Sequence, residues 1–256
     1  MRLTVLGGSA ASPNLGAGCS GYLIQTAASR IVLDLGPGTL AELRRHTNFR
    51  AINGIIVSHL HIDHVLDLLA LRHALAYNPV AAPNPIPVWL PPGGVAFLAR
   101  ATAPFDECDE PDRFAATIEV GEYDPGQALT IGDTTITFAP TVHYLPTWAM
   151  RLATAGSSDL GYTADTGPSA DLAPFFRGIG LLIAEATLLH PGEASFADRG
   201  SLTAAEAGLL AREATTETLL LTHIWEEFGF ATVRAHVAAV FAGRIELARP
   251  GLTVEW

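Results

Sequence analysis

The chain has 256 residues, 49 % apolar and only 16 % charged, and 26 acidic against 15 basic residues give a formal net charge of −11. Every base is Arg, which excludes a lysine Schiff base and a Walker-type phosphate lysine, and the acidic balance argues against a protein that grips long nucleic acid. No apolar window reaches transmembrane length, the first residues read as a strand rather than a signal peptide, and Cys19 and Cys108 make no disulfide framework, so a cytoplasmic location is expected.

Short apolar runs bounded by Gly, Pro or Asp alternate with helical stretches. Strands are expected at Leu3–Leu6, Gly21–Gln25, Ile31–Leu35, Gly54–Ser58 and Pro87–Leu90. Further strands are expected at Ala128–Ile131, Thr135–Ala139, Ala149–Ala153, Leu160–Thr163, Leu181–Ala184, Thr218–Thr222 and Ile245–Ala248. Helical patterns fall at Thr39–Arg45, Val65–Ala76, Val95–Ala101, Asp171–Phe176, Ala204–Glu213 and Thr232–Phe241. Thr203 and Glu206 form a capping-box pair at the start of the fifth. The Pro-rich Asn78–Pro92 and the acidic Asp106–Asp112 read as solvated excursions, the latter without the ligand spacing of an EF-hand. No low-complexity linker divides the chain. A single domain over 1–256 is expected, with two β-rich halves near 1–140 and 141–256 and sheet packed on sheet.

The apolar run Ile55–Val57 leads through Ser58 into His59, His61, Asp63 and His64. Two histidines two residues apart at a strand end point the same way, and Asp63 and His64, at the turn into a helix, serve a second point nearby. Imidazole and carboxylate donors suit Zn²⁺, Mn²⁺ or Fe²⁺, and the lack of Cys argues against a closed structural zinc site. Three later residues, His143, Asp165 and His223, each stand just beyond a β-type run. Together these are seven ligands, enough for two divalent metal ions. His46, His73, His190 and His236 have no such context and read as surface or structural. Cys19 reads as a buried small residue. Tyr144, Trp148, Trp225 and Phe228 flank metal positions, where two readings stand, stacking on a base or core and rim packing, and none is assigned as a binding residue.

The ordered set His59, His61, Asp63, His64, His143, Asp165, His223 resembles the metallo-β-lactamase superfamily. The order His143, Trp148, Tyr162–Gly167, Ala184–Thr187 and Leu221–His223 resembles its ribonuclease Z-like branch. Including Leu6–Ser9 and Leu33–Gly38, the resemblance covers essentially the whole chain. It implies an α/β fold, a four-layer αββα sandwich with a two-metal site at one edge. It assigns His59, His61 and His143 to one ion and Asp63, His64 and His223 to the other, with Asp165 bridging. It makes Asp34 and Glu185 outer partners of the ligands, and Asp63 a catalytic residue that orients water and takes its proton. Zn²⁺ is the implied metal, with Mn²⁺ or Fe²⁺ as alternatives, and homodimers occur among such relatives.

Two metal ions activate water and clamp a phosphoryl or carbonyl oxygen, so hydrolysis needs no Ser or Cys nucleophile. The stretch Thr141–Pro146 lacks the glyoxalase-type Gly-His-Thr-x-Gly, which lowers thioester and β-lactam hydrolysis. No inserted tRNA-gripping arm is evident, and Ala184 and Ser201 stand where ribonuclease Z carries histidines. The leaving-group proton donor is therefore unassigned. The chain most resembles short, arm-less bacterial cyclic-nucleotide phosphodiesterases, which implies hydrolysis of a small anionic phosphodiester, above all a 3′,5′-cyclic nucleotide. Alternatives are a tRNA 3′-processing endonuclease of the ribonuclease Z type, a lactone or carboxylic ester hydrolase, and a catalytically idle metal-binding regulatory module. A charge of −11 disfavours long polyanions, while a small anion meets the metal charge first.

Overall fold

Strands with apolar residues at every position must bury both faces, and here they do so in two stacked sheets. The computed structural model describes residues 1–106 and 117–256. The first sheet contains β1 (Arg2–Gly7), β2 (Gly21–Gln25), β3 (Arg30–Leu33), β4 (Gly54–Ile56), β5 (Ile86–Leu90) and β6 (Ile118–Glu122). The second contains β7 (Leu129–Ile131), β8 (Thr134–Pro140), β9 (Trp148–Thr154), β10 (Leu160–Tyr162), β11 (Leu181–Glu185), β12 (Thr218–Thr222) and β13 (Arg244–Leu247). A last strand, β14 (Thr253–Glu255), pairs antiparallel with β1 and returns the chain to the first sheet. The helices are α1 (Thr39–His46), α2 (Ile62–Val65), α3 (Asp67–Tyr77), α4 (Gly94–Asp106), α5 (Ala204–Glu213) and α6 (Phe230–Ala238).

Alternate residues of one strand serve different layers. From β2 and β3, Tyr22, Ile24, Ile31 and Leu33 face the second sheet, where Met150, Leu152, Leu181, Ile183 and Leu220 meet them. Leu23 and Val32 point the other way, onto a layer with Leu43 of α1 and Leu68, Leu71 and Leu75 of α3. In the second sheet Leu182, Leu219 and Leu221 turn outward to Ala204, Ala207 and Ala211 of α5 and Val233 and Val237 of α6. Three apolar interfaces therefore separate four layers, the αββα sandwich. Small alanines on α5 let that helix sit close to its sheet. The expected capping box at its start is present: Thr203 Oγ1 accepts from Glu206 N at 3.2 Å and Glu206 Oε2 from Thr203 N at 2.8 Å.

Within each sheet the strands that lead to the site are parallel: β3 to β6 in the first, β10 to β13 in the second. Several sequence expectations differ from the structure. The stretch Asp171–Phe176 is not a helix, because Pro174 disfavours helical backbone at Ala173 before it and Gly178 turns the chain at φ 73°. The helix expected at Val65–Ala76 begins at Ile62 and breaks at Leu66 into α2 and α3. The edge strands β6 and β14 carry too weak an apolar signal to be expected from sequence. The chain passes between sheets at 123–128 rather than near 140. The acidic stretch and Cys108 lie outside the described residues, apart from the backbone of Asp106. Among the described residues no helix is long and apolar enough to cross a membrane.

Candidate metal centre

Parallel strands release their chains at one edge, where side chains from separate strands converge. Asp34 follows β3, His59 to His64 follow β4, and Asp165 follows β10; Glu185 ends β11 and His223 follows β12, while His143 comes from the β8–β9 connection. Asp34, Ala164 and His223 turn through left-handed backbone at φ 57°, 50° and 54°. Such a turn costs a non-glycine residue on the order of 1–3 kcal/mol and clusters at functional sites. Gly36 is needed for close approach: an added Cβ would lie 1.9 Å from the Asp63 carbonyl oxygen.

Outer partners decide which nitrogen of each histidine carries its proton. Asp34 Oδ2 accepts from His64 Nδ1 at 2.8 Å, from Ser58 Oγ at 2.8 Å and from the Tyr162 hydroxyl at 2.6 Å. Having given its proton to Asp34, the Ser58 hydroxyl accepts from His59 Nδ1 at 3.1 Å. His143 Nδ1 donates to the Gly200 carbonyl at 2.6 Å. His223 Nδ1 donates to Thr187 Oγ1 at 2.7 Å, and Thr187 in turn donates to Glu185. In these four residues Nε2 is left as the lone-pair donor.

Those lone pairs meet other lone pairs. His59 Nε2 and His143 Nε2 each lie 3.0 Å from His61 Nδ1, and one proton cannot bridge three nitrogens. Among the described residues His64 Nε2 is buried without a hydrogen-bond partner, with carboxylate oxygens of Asp63 and Asp165 each 3.4 Å away. His223 Nε2 stands 3.0 Å from Asp63 Oδ2 and 3.5 Å from Asp165 Oδ2. An array of this kind repels itself unless cations lie within it, and its N and O donors fit divalent metals. The donor atoms form two groups, His59, His61, His143 and Asp165, and Asp63, His64, Asp165 and His223. Within each group all atoms lie within 4.8 Å of one another, and Asp165 belongs to both.

Burial alone raises carboxyls and lowers imidazoles. At Asp63 burial is outweighed by the facing His223 and His64, which hold the carboxyl well below the usual range. Asp165 is held low in the same way, burial being overcome by the charges of His223 and His64. Burial drives His59 and His61 below the ordinary value, helped by neighbouring histidines. His64 and His223 are pulled down by burial but lifted above the ordinary value, first by Asp165. Burial and then the Asp165 charge push Glu185 up to about 8. Ionised carboxylates beside the neutral His59 and His61 have the charge state that a cation site requires, whereas His64 and His223 favour a proton that a cation would have to replace.

All seven predicted donors and both outer carboxylates thus meet at one edge. The other histidines stay outside: His46 pairs with Glu42 at 2.7 Å, the His73 ring lies 4.5 Å from that of Tyr77, and His190 neighbours His236. Sequence reasoning missed Ser58 and Tyr162, and also the Ala11 N–H, which donates to Asp63 Oδ2 at 3.0 Å, and the Gly200 carbonyl. Ser58 is the residue next to His59 in the chain, a usable signal. The backbone groups carry none.

The family model of the β-lactamase superfamily domain matches residues 29–224. The chain is 29 % identical over 258 residues to the probable metallo-hydrolase YhfI of Bacillus subtilis (strain 168), covering 100 % of both chains. The crystal structure of YhfI matches with a TM-score of 0.83 at 28 % identity over 99 % of each chain. Ribonuclease Z of Bradyrhizobium sp. (strain ORS 278) is 28 % identical over 290 residues, 94 % of this chain and 95 % of that one. A diphosphatase from the PhnP family shares the fold, with a TM-score of 0.75 at 19 % identity over 100 % of this chain and 97 % of the other. With these matches spanning the layers and the donor cluster alike, the chain belongs to the β-lactamase superfamily, as a metal-dependent hydrolase.

Proposed function

We propose that the enzyme hydrolyses small anionic phosphodiesters, with a 3′,5′-cyclic nucleotide as the leading substrate. One observation carries this: two donor groups share the single carboxylate of Asp165. His59, His61 and His143 would hold one ion and Asp63, His64 and His223 the other, with Zn²⁺ the leading candidate and Mn²⁺ or Fe²⁺ as alternatives. When bound, a pair of such ions lowers the pKa of water and clamps a charged phosphoryl oxygen.

The protein's own groups do the rest. Asp63 Oδ2 is tied to the Ala11 N–H and faces His223, whereas Oδ1 has no hydrogen-bond partner among the described residues. That oxygen orients the attacking water and takes its proton. Asp34 and Glu185, through Ser58 and Thr187, keep the histidine lone pairs aimed inward without touching substrate. Ile62, Tyr144 and Leu145, close to the ligands in the chain, are exposed and uncharged. They suit the sugar and base of a small ligand better than a long polyanion, which would also meet the net charge of −11.

The test is hydrolysis of cyclic AMP by zinc-loaded protein against an Asp165→Ala control, beside bis(p-nitrophenyl) phosphate, a precursor tRNA and a lactone. Turnover of both phosphodiesters, lost in the control, is expected. Cleavage of the tRNA or the lactone alone would refute the proposal, and no turnover of any would favour an idle metal-binding module.

A further inference from the structure

Four aromatic residues flank the ligands, and packing accounts for two of them. Trp148 packs at the inter-sheet core, its ring centroid 6.0 Å from that of Tyr123. Phe228 packs against the layer beneath α5 and α6, and Trp225 is half-buried. Tyr144 is different: it is 68 % exposed. An exposed ring is ordinarily free to move, yet this one is held at both ends. Its centroid lies 5.0 Å from that of His143, and its hydroxyl accepts from Gly200 N at 3.4 Å. Its Cε2 and Cζ come so close to the chain that a Cβ added at Gly200 would lie 2.9 Å from each. Gly200 also supplies the carbonyl that fixes His143. Ring and ligand therefore share one anchor. Ile62, 60 % exposed, follows His61 in the chain, and His61 Nδ1 is 3.0 Å from His143 Nε2.

We propose that Tyr144 is the stacking surface for the aromatic part of the substrate and makes the site select nucleoside and aryl phosphodiesters over aliphatic ones. This role presupposes the phosphodiester chemistry above. A ring already fixed loses little freedom when a base stacks on it, and every base has a π-face to offer. Stacking remote from the reacting phosphorus binds ground and transition states alike, so its loss falls on KM rather than kcat.

The experiment is calorimetric titration of the zinc-loaded protein with AMP and with ribose 5-phosphate, together with steady-state kinetics on cyclic AMP. Wild type is expected to bind AMP about 5- to 150-fold more tightly than ribose 5-phosphate. Tyr144→Phe keeps that preference, whereas Tyr144→Leu, apolar but not flat, and Tyr144→Ala lose it. In the latter two KM for cyclic AMP rises by the same factor while kcat stays within about twofold. The exposed position leaves folding intact, which the melting temperatures check. An AMP preference that is absent in wild type, or that survives Tyr144→Ala, overturns the role. If the preference disappears with the ring but cyclic AMP is not hydrolysed, the platform stands and the phosphodiesterase proposal falls.

Discussion

Asp34→Asn isolates the work of an outer partner, because it keeps the shape of the side chain and removes its charge. Asp34 is fully buried and accepts four hydrogen bonds: Oδ1 takes Ser58 N at 2.7 Å, and Oδ2 takes Ser58 Oγ, His64 Nδ1 and the Tyr162 hydroxyl. An asparagine does least damage with its oxygen at the Oδ2 position, which sets its NH₂ against the Ser58 N–H. Each buried donor left unsatisfied costs about 1–3 kcal/mol, a sizeable part of a total stability of roughly 5–15 kcal/mol, and here both the NH₂ and the Ser58 N–H lack an acceptor. The bond to His64 survives but becomes neutral, at roughly half its strength. Removal of an outer partner of this kind costs about 10- to 100-fold in metal affinity, or roughly 1.4–2.7 kcal/mol. The larger loss falls on the ion held with His64, which Asp34 touches directly, and the smaller on the ion held with His59, reached only through Ser58. Competitive zinc titration against a chromophoric chelator resolves the two affinities, and a metal-free melting curve gives the stability cost. Two zinc ions bound with wild-type affinities would refute the tautomer argument, whatever the melting temperature.

Chelation should lower the melting temperature as well as abolish activity, because ions that bind only the folded chain stabilise it by about 4 kcal/mol at a thousandfold excess over Kd; zinc should restore both, and an unchanged melting temperature would contradict the cation site. Thr203→Ala removes the hydroxyl that caps α5, and urea denaturation should show a loss of about 1 kcal/mol without a change in metal stoichiometry. An unaltered midpoint would mean that the cap adds nothing to global stability. Burial, and then the Asp63 charge, push the Cys19 thiol up to about 12, and the residue is fully buried. At pH 8 on the order of 1 in 10,000 such thiols is ionised, so iodoacetamide should leave Cys19 unlabelled in the native protein and label it after guanidinium unfolding. Peptide mass spectrometry distinguishes it from Cys108, and native labelling of Cys19 would contradict its burial.

Strands buried on both faces were legible because they are apolar throughout: Ile31–Leu33, Ile55–Val57, Leu181–Ala184 and Leu219–Leu221 announce themselves without any period. The edge strands β6 and β14, paired on one side only, do not. At Asp171–Phe176 local helical pattern misled, since Pro174 and the glycines after it decide the backbone there. The donors were legible by type and place, each carboxylate or imidazole standing just past an apolar run.

What residue types determine is the chemistry of the centre: nitrogen and oxygen donors, no thiolate and no lysine. What only the tertiary structure decides is which way each lone pair points. That depends on partners such as the Ala11 N–H, 52 residues from Asp63, and the Gly200 carbonyl, 57 residues from His143. Backbone groups are the same at every residue and leave no mark in composition or spacing. The difference between Tyr144 and Trp148 has the same origin, because whether an aromatic ring is core or surface depends on what the rest of the chain packs against it.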